Sequence, residues 1–216
     1  MAQAAARAAG PGPHAFADWF VGAAKTADQQ YLRDQDPHGI RLGLEIWERA
    51  TADGVLAGAS PESLVRVHIT VANLYLREYE ISGRPEDLDQ AFTYQRAAAP
   101  HVIPGSNEDA ALKMSSANWF EVRFMYAKDR ADLDQAVEGY LAVTAMLPPT
   151  AGNYPLTCGE LGRLLLTRFD LTGDLLDLAQ AQRWLREALH YIDPGNPAKP
   201  ILEDAWQSSK RKVPPA

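Results

Sequence analysis

Asp87-Leu88-Asp89-Gln90-Ala91 returns as Asp132-Leu133-Asp134-Gln135-Ala136 and, in weaker form, as Asp177-Leu178-Ala179-Gln180-Ala181, each time 45 residues further on. Self-similarity at a fixed period of this length marks a repeat architecture. Carrying the offset outward extends the match well beyond the motif. Upstream, Ala72, Ala117 and Gly162 form a small-residue column, Asn73, Asn118 and Arg163 a polar one, and Tyr79, Phe124 and Phe169 an aromatic one. Downstream, Ala98, Val143 and Ala188 align. A more degenerate fourth copy stands in front when the offset is stretched to 48, with Ala24, Tyr31, Ile40, Gly43 and Ala50 in the matching columns.

Each copy reads as two helices. The first, near 61–81, 109–127 and 156–171, carries apolar residues at helical spacing, as in Leu64, Val67, Val71, Leu74 and Tyr75. The second begins around Asp36, Pro85, Asp129 and Asp174. Asp36 can cap exposed amides with Pro37 at the first helical position, and Glu86, Asp87 and Asp89 follow Pro85 at the positive end of the helix dipole. The links at 100–106 and 148–155 hold the proline and glycine expected of breaks. Ala91, Ala136 and Ala181 leave room for a facing helix, and Tyr79, Phe124 and Phe169 fill the space beside them. One pair cannot cover its own apolar stripe, so stacked pairs have to bury it together.

The fold class expected is therefore all-α: a solenoid of antiparallel helix pairs, about four repeats, with a C-terminal capping helix over 201–212 that turns Ile201, Leu202, Ala205 and Trp206 inward. Residues 14–212 form the repeat domain, flanked by a flexible Ala-, Pro- and Gly-rich stretch over 1–13 and a disordered tail over 213–216.

Composition narrows the function. With 46% hydrophobic and 23% charged residues the chain resembles folded proteins rather than disordered ones. A net charge of −7 argues against binding nucleic acid, and the one tight basic run, Lys210-Arg211-Lys212, reads as solvated. The N-terminal stretch lacks the basic start and apolar run of a signal peptide, and no apolar run is long enough for a membrane span. The single cysteine, Cys158, reads as a buried spectator thiol in a reducing, cytoplasmic setting.

Sites for chemistry do not emerge. His14, His38, His68, His101 and His190 show no metal-ligand spacing, and neither a phosphate loop nor a nucleophile elbow is present, so no cofactor and no metal are expected. The carboxylate pairs Asp87/Asp89 and Asp132/Asp134 are explained by dipole pairing and solvation. Trp19, Trp47, Trp119, Trp184 and Trp206 fall on expected helices, where packing is their use.

Leu161-Gly162-Arg163-Leu164-Leu165 with Gly173-Asp174 and Ala181, and Ala72, Tyr75, Ala91 and Ala98 in the copy before, resemble the tetratricopeptide repeat (TPR) over about residues 24–192. The period departs from that family's roughly 34 residues. Longer variants with a G-x-x-x-D-L-D-x-A signature, here Gly83 to Ala91, are similar to repeats of bacterial signalling and regulatory proteins. The resemblance implies a scaffold or adaptor for protein–protein interaction, with Asn73, Asn118 and Arg163 lining a concave groove flanked by Arg66 and Arg77, where amides would hold a peptide backbone and Arg a carboxylate. The alternatives are a helical-repeat enzyme or small-molecule-binding protein with a pocket in that face, and a structural module that assembles as a homo-oligomer. Ala136→Leu is expected to overpack its contact and cost roughly 1 to 3 kcal/mol, read as a lowered melting midpoint.

Overall fold

The computed structural model describes residues 12–212, and among these the chain is helical without a strand. The helices are α1 (Pro13–Asp34), α2 (His38–Ala52), α3 (Pro61–Ser82), α4 (Pro85–Ala98), α5 (Asn107–Ala127), α6 (Arg130–Met146), α7 (Tyr154–Thr172), α8 (Leu175–Tyr191) and α9 (Lys199–Arg211), with a short 3₁₀ turn at Ala99–His101. The expected boundaries lie within two residues of these. The flexible stretch expected over 1–13 falls outside the described residues except for Gly12 and Pro13, and Pro13 opens α1. The tail over 213–216 also lies outside them.

Capping chemistry sets the ends. Asp129 accepts from the Ala131 amide at 3.0 Å and Asp174 from Leu176 at 2.9 Å, each answering one of the orphan donors of a helix N-terminus. Asp36 accepts from the His38 amide at 3.0 Å, but Pro37, expected at the first helical position, holds the cap position and the helix begins one residue later at His38. The first helix of every pair ends in the left-handed region: Gln35, Gly83, Lys128 and Gly173 have φ of 56°, 69°, 56° and 73°. Gly83 and Gly173 reach it without a Cβ penalty, and their amides close on the carbonyls of Tyr79 and Phe169. These four positions keep the spacings of 48, 45 and 45 read from the sequence.

The chain divides into two compact units that part at Ser115 and Ser116, inside α5. In the first, α3 packs against α4, α1 and α2, and α1 packs against α2. Because α3 is enclosed on two sides it is apolar on two faces. Val67, Val71 and Leu74 join Phe16, Phe20, Ile40 and Trp47 in one cluster, and Val65 and Ile69 join Ala98, Val102, Ala111 and Leu112 in another.

In the second unit α7 packs against α6 and α8, and α9 against α8 and α7. Leu133, Val137, Leu161, Leu165, Leu178, Leu185 and Leu202 are buried. In α9, Leu202 turns inward and Ala205 and Trp206 are half-buried, whereas Ile201, expected inside, is 61% exposed. It sits 100° around the helix from Leu202, so one of two adjacent apolar residues has to leave the seam.

The small-residue columns sit inside. Ala72, Ala91, Ala98, Ala117, Ala136, Ala181 and Ala188 are all buried. At Gly139 an added Cβ would stand 2.8 Å from the Cβ and 3.3 Å from the Cα of Ala117, and an atom fixed to the backbone cannot swing away. Gly139→Ala is therefore expected to lower the melting midpoint, overpacking of about 1 to 3 kcal/mol outweighing the helix propensity that alanine gains. Gly22→Ala, with nothing within 4 Å of the new Cβ, is expected to raise stability by about 0.5 to 1 kcal/mol in the same melting experiment.

Candidate functional site

Three helices of the first unit bound an open cleft of about 760 Å³. Helix α2 contributes Arg41, Leu44, Glu45 and Glu48, α3 contributes Tyr75, Glu78 and Ser82, and α4 and the turn before it contribute Arg84, Asp87 and Gln90. Periodicity explains the grouping: Arg41, Glu45 and Glu48 lie at spacings of four and three on α2, and Tyr75, Glu78 and Ser82 at three and four on α3, so each set shares one face.

Ion pairs fix the walls. Glu78 is 5% exposed and accepts from Arg41 Nε at 3.2 and 3.3 Å. Asp87, also 5% exposed, accepts from Arg84 Nε at 3.1 Å and Nη2 at 3.2 Å and from the Ser82 hydroxyl at 2.8 Å. A carboxylate taken this far from water is held only by such charge-assisted bonds, and removing the arginine would leave the charge buried without compensation.

The same device recurs in the second unit, where the leading Asp of each later copy is buried. Asp132 receives Arg123 through two nitrogens, and Asp177 receives Arg168 at 2.9 and 2.6 Å. The solvation expected for the leading acids is thus replaced by burial beneath a forked guanidinium. Their place in the first helical turn stands.

Glu45 and Glu48 differ. Both are exposed, and among the described residues neither forms an ion pair. Like charges three residues apart on a helix repel by about 0.2 to 0.5 kcal/mol. Arg41 stands four residues before Glu45, where a helix can pair opposite charges, yet its guanidinium turns to Glu78.

Beneath the cleft lies an aromatic stack. Tyr75 lies nearly parallel to Tyr94 with centroids 5.7 Å apart, and Tyr94 accepts a 2.7 Å hydrogen bond from Trp47 Nε1. Burial first, then the neighbouring Tyr94, Glu48 and Asp87, pushes the Tyr75 phenol up to about 12, so at neutral pH it is a hydrogen-bond donor and not a base. His68 packs edge-on to Trp47 and beside Tyr94, and its buried Nδ1 has no hydrogen-bond partner.

The residues expected to line a groove fall elsewhere. On α3, Arg66, Asn73 and Arg77 share a flank about 150° around the helix from the cleft face. Arg66 bonds Asp18 at 2.8 Å, exposed Asn73 accepts from the Ser115 hydroxyl at 2.8 Å, and Arg77 bonds Asp28 and Glu80, each at 2.6 Å. Burial pulls Arg77 down, but the two carboxylates outweigh it and hold the guanidinium firmly charged.

In the second unit Arg163 bonds Glu121 at 2.9 Å and Glu160 at 2.7 Å, and half-buried Asn118 lies one turn before Glu121. All three arginines are thus answered by acids of the chain itself. The cleft brings together residues far apart in the sequence, because α2 and α4 meet beside α3 only in three dimensions.

Among the described residues no group of three His, Cys, Asp or Glu is placed to hold a metal ion, and no helix is long and apolar enough to cross a membrane. Cys158 is buried, and burial pushes its thiol up to about 11. Lys210 lies over the Trp206 ring and Lys212 pairs with Asp170, so the basic run closes α9.

No family model, curated protein or solved structure gives a significant match to the chain.

His68 yields a pH prediction. Burial lowers its pKa below 6.5, the Ala97 carbonyl opposes this, and His101 adds to the lowering. Between that lowered value and 6.5 the unfolded chain binds the proton and the folded one does not, so stability is complete above 6.5 and falls as pH drops below it. Thermal melts from pH 7.5 to 5.5 are expected to show this loss, and His68→Gln to flatten it.

Proposed function

We propose that this chain is a protein-interaction module of tetratricopeptide-like helix pairs that holds a peptide segment of its partner in the α2–α3–α4 cleft. The observation that carries the reading is the cleft itself, about 760 Å³, open, and lined on three helices by donors and acceptors around an aromatic floor. Its volume falls within the roughly 300 to 1,000 Å³ usual for ligand sites. The tetratricopeptide-like part of the proposal is supported by the 45-residue register and by the left-handed closure of the helix pairs at Gly83, Lys128 and Gly173.

An enzyme on the same fold is the rival reading, since fold does not fix function. The cleft favours binding over chemistry. Its arginines are tied to carboxylates, and its phenol keeps its proton.

Selection from a random-peptide display library tests the proposal. Enriched peptides are expected to bind with micromolar affinity, and Gln90→Trp, which fills the cleft from its exposed rim, to weaken them at least about tenfold, a change of 1.4 kcal/mol. Asn73→Trp, on the other flank of α3, should leave them bound. Failure to enrich any peptide, or loss of binding only in Asn73→Trp, would overturn the assignment.

A further inference from the structure

We infer that the cleft selects a basic segment, one that seats a Lys or Arg side chain against Glu45 and Glu48 while Arg41 holds the backbone carbonyls beside it. This rests on the peptide-binding reading and names the chemistry of the partner.

Two features of the cavity carry the inference. The first is its charge. Of six charged side chains, Arg41 and Arg84 pair with Glu78 and Asp87, whose burial makes those pairs structural. The charge left facing the open volume is that of Glu45 and Glu48, one helical turn apart on one wall. Arg41, four residues before Glu45, is committed across the cleft to α3, and Arg49, four residues after it, forms no ion pair among the described residues. An incoming ammonium or guanidinium therefore meets two carboxylates with no internal ion pair to displace, so it gains attraction without breaking a bond of the fold.

The second feature is the geometry of Arg41. It bonds Glu78 through Nε alone and its side chain is 52% exposed, so its two terminal nitrogens remain as donors at the rim. Backbone carbonyls of an extended segment satisfy such donors. The Tyr75 phenol and the Gln90 amide add further polar groups along the same volume. A bare cation would use only the carboxylates, whereas a peptide uses both sets, and this commits the occupant to a basic stretch of polypeptide.

Titration calorimetry with a short amidated peptide of alternating arginine and alanine, and with its glutamate-for-arginine counterpart, tests the inference on the full chain. Binding is expected for the arginine peptide alone, to weaken as salt rises, and to fall at least about tenfold in Glu45→Gln/Glu48→Gln. Glu203→Gln/Asp204→Asn removes the same charge from the exposed face of α9 and should leave binding unchanged. An equal loss in that control would mean only a non-specific attraction to an acidic protein and would overturn the inference. So would equal binding of the glutamate peptide, no binding of the arginine peptide, or spermidine competing as well as the peptide. If library-selected peptides are blocked by Gln90→Trp yet indifferent to Glu45→Gln/Glu48→Gln, the peptide-binding reading stands and the basic specificity falls.

Discussion

The helix pairs depend on how closely two backbones can come together. Where Gly139 faces Ala117 there is no room for one more carbon, and the alanines at 72, 91, 98, 136, 181 and 188 are buried as well. Close approach keeps the apolar stripes in contact along their length, which is where helical stability in proteins arises. It also brings the start of each second helix near the end of the first, and from there the polar chemistry follows.

At that junction a carboxylate on the first turn of the second helix is carried into the interior. Asp132 and Asp177 are matched by Arg123 and Arg168 near the ends of the first helices, 45 residues apart like their partners. In the copy before, the position matching those arginines is Glu78, and the sign of the pairing is rebuilt: Arg84 comes from the turn to hold Asp87, and Arg41 comes from α2 to hold Glu78. A conflict between two buried acids is thereby resolved with two arginines from different elements. Arg41 is thereby drawn across to α3 and away from Glu45, four residues further along its own helix.

The helices themselves were legible in the sequence because their signals are local. Asp129 and Asp174 act on amides within a few residues, Pro85, Gly83 and Gly173 act through their own φ, and apolar spacing reports a face wherever it is buried. Ile201 shows the limit of that local reading. It stands beside Leu202 with similar hydrophobicity, and only packing chose between them. The leading acids show another limit: periodicity placed Asp87, Asp132 and Asp177 on the first turn, but whether such a residue meets water or a guanidinium depends on a neighbour up to nine residues away and on the helix that covers it.

The sequence by itself therefore determined the order, the ends and the 45-residue rhythm of the helices, because backbone hydrogen bonding, capping and side-chain periodicity act over one or two turns. Only the tertiary structure decided which polar side chains meet. It tied Arg66 to Asp18, Arg77 to Asp28 and Glu80, and Arg163 to Glu121 and Glu160, and it opened a cleft where α2 and α4 meet across α3. Charge compensation depends on distance in space, and a spacing along the chain does not say which of several nearby acids an arginine will reach.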